Sequence, residues 1–179
     1  MAFAVWFTGL PGSGKSVISR KAAEILRREG YMVRILQLDR IRRTITPEPS
    51  YSDEERSIVY ASLAYMAYLL VDCGINVFID ATANKQEYRD TARSLIPNFA
   101  EAYVECPLEV CIRRERDREE TYDAPRGVYV GSKRSGATVP GVNVAYEPPR
   151  NPEIHVESSK ETIEECARRV AEKVEELFG

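Results

Sequence analysis

In Gly9-Leu10-Pro11-Gly12-Ser13-Gly14-Lys15-Ser16, every position fits the G-x-x-x-x-G-K-[ST] phosphate-binding pattern. Ahead of it, Phe3-Ala4-Val5-Trp6-Phe7-Thr8 is an apolar run of strand type; behind it, an amphipathic segment begins at Val17. A strand, a glycine turn and a helix in that order let backbone N–H groups wrap a polyphosphate, and the helix N-terminus adds its positive dipole end. Lys15 is expected to reach the β- and γ-phosphates of a nucleotide, and the Ser16 hydroxyl to coordinate Mg2+. A plain glycine turn between a strand and a helix would not need the terminal Lys-Ser pair.

Around this loop the chain alternates. Val17, Ile18, Ala22, Ile25 and Leu26 recur at helical spacing, and Gly30 supplies a stop. Tyr31 to Leu38 reads as a second strand, followed by the charged Asp39-Arg40-Ile41-Arg42-Arg43 and a loop broken by Pro47 and Pro49. Ser52 with Glu55 forms a capping box for a long helix through Leu70, packed by Ile58, Leu63, Leu69 and Leu70. Asn76 to Asp80 is a third strand, Asn84 with Glu87 caps a helix to about Leu95, and Phe99 to Glu105 is a fourth strand, with Pro107 in the first turn of the next helix. From Arg113 to Pro140 the pattern dissolves into charges, glycines and prolines, which reads as a mobile lid. Glu153 to Val156 is a last strand, and Ser158 with Glu161 caps a terminal helix. Strands alternating with helices predict a three-layer α/β fold of the P-loop kinase type. Its parallel sheet is flanked by helices, its ligands lie at the carboxyl ends of the strands, and residues 1 to 179 form one domain.

The bulk properties narrow the function. A chain of 179 residues at net charge −3 is no general polyanion binder, so nucleic acid is not the expected partner. Cys73, Cys106, Cys111 and Cys166 lack metal-site spacing and read as reduced core thiols. No apolar run approaches membrane-spanning length, and Met1-Ala2-Phe3 enters the first strand without a charged leader, so a cytoplasmic protein is expected.

Phosphoryl transfer to a hydroxyl needs one carboxylate to orient and deprotonate the nucleophile and one to support Mg2+. Asp39 and Asp80 end strands on the loop side of the sheet; either could serve in either role, and each could also be a turn or capping residue. Arg42, Arg43 and Arg56 flank the mouth, where guanidinium forks could grip an anionic acceptor, unless they lie on solvated helix faces. In the lid, Arg113, Arg114, Arg116, Arg118, Arg126, Lys133 and Arg134 are interspersed with five acids; most should pair with them, leaving one or two to act. His155 is given no chemistry. Asn84-Lys85-Gln86-Glu87 only imitates a guanine-reading N-K-x-D motif, since it ends in Glu and opens a helix.

Several of these stretches together resemble the adenylylsulfate kinases, in the same order: the phosphate loop, Tyr51-Ser52-Asp53-Glu54-Glu55-Arg56, Cys106-Pro107-Leu108-Glu109-Val110-Cys111, Pro125-Arg126-Gly127-Val128-Tyr129 and Gly141-Val142-Asn143-Val144-Ala145-Tyr146-Glu147-Pro148-Pro149. The likeness runs from about residue 3 to 157. It implies transfer of the γ-phosphate of ATP, with Mg2+, to the 3′-hydroxyl of adenylylsulfate, and it allows a homodimer. By the resemblance, Asp39 and Arg42 match the family's D-G-D-x-x-R segment, Arg56 matches the Arg of F-S-x-x-x-R, and Arg114 lies near the adenine of ATP. The chain departs from the pattern at Gln37 and Val59, in Ile79-Asp80-Ala81-Thr82-Ala83-Asn84, at Ala137 and Val139, and in a lid insertion near Arg116 to Tyr122. The Asp80-Ala81-Thr82 run looks like the D-A-T turn of other small P-loop kinases. A kinase for another hydroxyl, on a nucleoside, sugar or nucleic-acid 5′ end, therefore stays open, as does a non-catalytic switch.

Overall fold

The computed structural model describes residues 1–179. Five strands, β1 (Ala4–Thr8), β2 (Val33–Gln37), β3 (Asn76–Asp80), β4 (Phe99–Glu105) and β5 (Ile154–Glu157), form one parallel sheet in the order β2-β3-β1-β4-β5. β1 is buried along its whole length, and its alternation builds both cores. Phe3, Val5 and Phe7 face α1 (Lys15–Arg28) and α7 (Ile163–Phe178), while Ala4 and Trp6 face α3 (Asp53–Asp72) and α4 (Gln86–Leu95). The period-2 pattern of a doubly covered strand thus gives three layers. The connections leaving β1 and β4 diverge to opposite sides of the sheet, which opens a crevice at their carboxyl ends.

Three shorter elements complete the chain: α2 (Leu38–Ile45), α5 (Leu108–Asp117) and α6 (Val128–Gly131). The charged run after β2, to which the sequence pattern assigns no element, is a helix, α2. Likewise α5 carries the Arg113 region on as helix to Asp117, so the irregular stretch begins later than the sequence suggests. No helix is long and apolar enough to cross a membrane.

Several local signals are answered differently in three dimensions. The Ser52 hydroxyl does accept the Glu55 N–H, but the Glu55 carboxylate turns to Ser50 and Arg42, so only half the box forms. Asn84 caps nothing: α4 starts after Lys85 with no side-chain cap. Ser158 also caps nothing; the complete box that opens α7 is Thr162 with Glu165. Ile58 and Leu69 lie 61% and 45% exposed, outside the packed face of α3 that uses Leu63. Cys73 is exposed at the end of α3, whereas Cys106, Cys111 and Cys166 are buried thiols.

One buried ion pair ties the layers together near the crevice. Arg89 on α4, fully buried, donates to Glu101 on β4 at 3.0 Å. It also donates to the carbonyls of Ala83 and Glu147, the latter at 2.7 Å. Removing one partner of such a pair costs about 3–5 kcal/mol, because the other charge is left dry.

Candidate active site

The phosphate loop is moulded to its neighbours. A Cβ on Gly12 would lie 2.5 Å from the Cys111 carbonyl oxygen, and one on Gly9 would lie 2.5 Å from that of Val104. Backbone therefore packs directly against β4 and α5, which only glycine allows. The Ser13 hydroxyl is buried without a partner. Lys15 begins α1 and is nearly enclosed; its Nζ donates to the Gly9 and Leu10 carbonyls, both at 3.0 Å. Burial lowers its pKa below the ordinary lysine value, and Asp80 and Asp39 act in the opposite direction. A cradle with a buried ammonium and an orphaned hydroxyl fits an anionic phosphate chain.

Asp80 and Asp39 both stand at this edge. Asp80 ends β3, in register with Phe7 on one side and Gln37 on the other, and is 5% exposed. Burial raises its pKa, opposed by Lys15 and by hydrogen bonding to Ser16. Asp39 sits in the first turn of α2; burial foremost, then the charge of Asp80, pushes it up to about 6 against the pull of Lys15, Arg42 and Arg118. No three His, Cys, Asp or Glu side chains converge on a metal-sized site anywhere in the chain. A divalent cation held by Ser16 and Asp80 would take its other oxygens from phosphates and water, which is the coordination Mg2+ prefers.

Arg42 of α2 and Arg56 of α3 come together around Tyr51. Arg42 donates to Glu55 at 2.7 Å, and Arg56 donates to the Tyr51 carbonyl at 3.1 Å, to Asn84 Oδ1 at 3.2 Å and to the Thr138 carbonyl at 2.6 Å. The Tyr51 ring lies 5.1 Å from the Arg42 guanidinium and 5.9 Å from that of Arg56. Both arginines are buried, at 7% and 6% exposure, so neither belongs to a solvated helix face. Arg43 does: its side chain is 64% exposed and pairs with Asp123 at 2.8 Å.

Arg114 lies on the other flank, where it donates to the Ser158 hydroxyl at 3.0 Å and carbonyl at 2.6 Å. Ser158 in turn donates to the Ser13 carbonyl at 2.6 Å, so Arg114 is coupled to the back of the phosphate loop. His155 stacks on Tyr103 and contacts Glu105 at 2.7 Å on the surface. Sequence reasoning missed the support roles of Asn84, Thr138 and Ser158. Asn84 and Ser158 carried a capping signal that pointed elsewhere; Thr138 carried none.

Residues 1–157 match the family model for adenylylsulphate kinase. The chain belongs to the adenylylsulfate kinase family. A probable adenylyl-sulfate kinase of Pyrococcus abyssi is 38% identical over 178 residues, 98% of this chain and 96% of that one. The adenylyl-sulfate kinase of Rippkaea orientalis is 35% identical, covering 97% and 91%. The APS kinase of Mycobacterium tuberculosis, solved in complex with AMPPNP and APS, superposes at a TM-score of 0.84 with 29% identity, covering 97% and 98%. A sugar kinase from Janibacter sp., at TM-score 0.70 and 22% identity over 98% and 95%, shares the scaffold alone.

Proposed function

We propose that this adenylylsulfate kinase family member transfers the γ-phosphate of ATP to the 3′-hydroxyl of adenylylsulfate, giving 3′-phosphoadenylylsulfate and ADP. The observation that carries the reading is the buried pair of Arg42 and Arg56 around Tyr51, with Asp39 on the same helix as Arg42. Two fixed guanidinium groups suit a phosphosulfate anion, and Asp39 is the carboxylate on their side.

In this reading the acceptor hydroxyl oxygen attacks the γ-phosphorus in line, the bond from that phosphorus to the β,γ-bridging oxygen breaks, and the hydroxyl proton passes to Asp39. Lys15 leaves the loop carbonyls and neutralises the β- and γ-oxygens. Ser16 and Asp80 are the residues that would hold Mg2+, which when bound would screen the polyphosphate charge. Residues Gly9 to Gly14 supply backbone N–H groups to the phosphates, and Arg114 with Ser158 shapes the nucleotide's base side. The segment from 113 to 140 acts as the lid of a single domain, and the reading is of a cytoplasmic protein and allows a homodimer.

Product analysis after incubation with MgATP and adenylylsulfate, adenosine or a 5′-hydroxyl oligonucleotide tests the acceptor. A phosphorylated product from adenylylsulfate alone is expected; phosphorylation of another acceptor instead would assign the chain to a different hydroxyl. Arg42→Ala and Arg56→Ala should each raise the adenylylsulfate KM about 10–100-fold and the ATP KM little, because the lost contacts bind one ligand. Equal losses for both substrates would mean the arginine pair does not face the acceptor. Limited proteolysis between 113 and 140 should slow markedly once MgADP and adenylylsulfate are added, as an ordering lid requires. Cleavage unchanged by ligands would argue against a lid.

A further inference from the structure

The lid insertion carries one guanidinium that is mostly buried and not fully paired. Arg113, Arg126, Lys133 and Arg134 are exposed, Arg116 is spent on Asp117 at 2.6 Å with 68% of its side chain in water, and Arg114 is held by Ser158. Arg118 differs. It follows the last turn of α5, its side chain is 21% exposed, and its Nε is buried without a hydrogen-bond partner. Its Nη2 donates to the Pro125 carbonyl at 2.6 Å and lies 3.5 Å from Glu115. Buried Glu115 also accepts the N–H groups of Gly127 and Val128, at 2.7 and 3.3 Å. The next residue, Tyr129, donates to the Pro11 carbonyl at 2.6 Å, which fastens this turn to the phosphate loop.

The rest of the insertion is pinned across the mouth. Tyr122 lies 4.9 Å from the Arg20 guanidinium of α1, and Asp123 pairs with Arg43 of α2 at 2.8 Å. Arg118 is thereby held between α5 and a turn that is itself fastened to the phosphate loop. Its charge acts on both Lys15 and Asp39, lowering each. A mostly buried cation with an unmet donor, close enough to act on Lys15 and Asp39, is a standing attraction for an anion with several oxygens.

We propose that Arg118, carried by the lid insertion that departs from the family pattern, is a catalytic residue that contacts the γ-phosphoryl group of ATP during transfer. The proposal rests on the kinase reading above and adds to it a second cation beside Lys15. As the bond to the β,γ-bridging oxygen breaks and the acceptor oxygen bonds to phosphorus, charge spreads over the γ-oxygens, which a guanidinium fork can hold at two points.

The test compares wild type, Arg118→Gln and the exposed control Arg116→Gln, with thermal unfolding to establish that each is folded. With MgATP and adenylylsulfate, Arg118→Gln should lower kcat by about 100-fold, the lower end of the cost of removing one preorganised donor from a developing charge, while Arg116→Gln stays within about twofold. By calorimetry, Arg118→Gln should weaken Mg-AMPPNP by roughly 10-fold and Mg-ADP by less than about twofold, since only the former carries the third phosphate. Equal weakening of both nucleotides would mean that Arg118 merely props the lid, and unchanged kcat and affinities would remove it from the site; either overturns the proposal. Should Arg118→Gln not fold, Arg118→Lys repeats the comparison with the charge kept and the fork lost, and an unchanged kcat there overturns it too. The nucleotide comparison needs no acceptor, so it reads Arg118 even if adenylylsulfate proves to be the wrong substrate.

Discussion

Lys15→Ala lowers turnover by about three orders of magnitude or more, the scale expected when a preorganised charge on the transferring phosphoryl group is removed. The protein should stay folded. Lys15 gives its hydrogen bonds to two loop carbonyls at 3.0 Å and sits in no apolar cluster, so its loss creates no core cavity. Burial already disfavours its charge, which limits what that charge contributes to the stability of the free protein. Ser16→Ala should also cut turnover strongly, with a raised requirement for free Mg2+, because it removes one of the two proposed ligands. A coupled ADP-release assay over a magnesium titration, set beside thermal unfolding, separates these effects. Near-normal turnover in Lys15→Ala would sink the phosphate-loop assignment.

Asp39→Asn has two consequences of opposite sign. Turnover falls by about 10²–10⁴-fold, as for loss of a general base, while the free protein becomes more stable at neutral pH. The Asp39 carboxyl is pushed up to about 6 by burial and by Asp80, above its ordinary value of 3.8. Above pH 6 the folded wild type must hold a carboxylate where burial disfavours it, whereas the unfolded chain does not; the amide escapes that cost. The gain is about 3 kcal/mol at pH 8, shrinks as the pH falls from 6 towards 4, and vanishes below about 3, where the acid is protonated in both states. Wild-type kcat/KM should fall on the acid side of about pH 6, where Asp39 accepts a proton before the substrate arrives. Asp80→Asn is the essential comparison. If it proves the more damaging change, and Asp39→Asn keeps most activity, the base lies at the end of β3 and the chemistry is that of the D-A-T kinases. Thermal melts from pH 4 to 8 and pH–rate profiles of both variants check all of this.

The phosphate loop, the strand-helix alternation and the two aspartates, Asp80 at the end of β3 and Asp39 just beyond β2, were legible in the chain because each is a short-range pattern. The loop is eight consecutive residues, a buried strand is a continuous apolar run, and a helix repeats within a turn or two. The family resemblance followed from such stretches in order, and with it Arg42, Arg56 and Arg114 as residues of interest. Their surroundings were not legible. Arg56 reaches Thr138 across 82 residues and Ser158 reaches Ser13 across 145, and no local spacing encodes those distances. The same limit explains the capping errors. A Ser or Asn followed three residues later by Glu offers a cap, but its side chain takes whichever partner the packed fold brings closer. For Asn84 that was the Arg56 guanidinium and the Ala145 carbonyl, and for Ser158 the Ser13 carbonyl and Arg114. The depth of burial that moves the Asp39 pKa, and the selection of Arg118 from a lid full of arginines, belong to the tertiary structure too. Both depend on how much water the assembled layers exclude from a charge, and that quantity exists only once distant segments have come together.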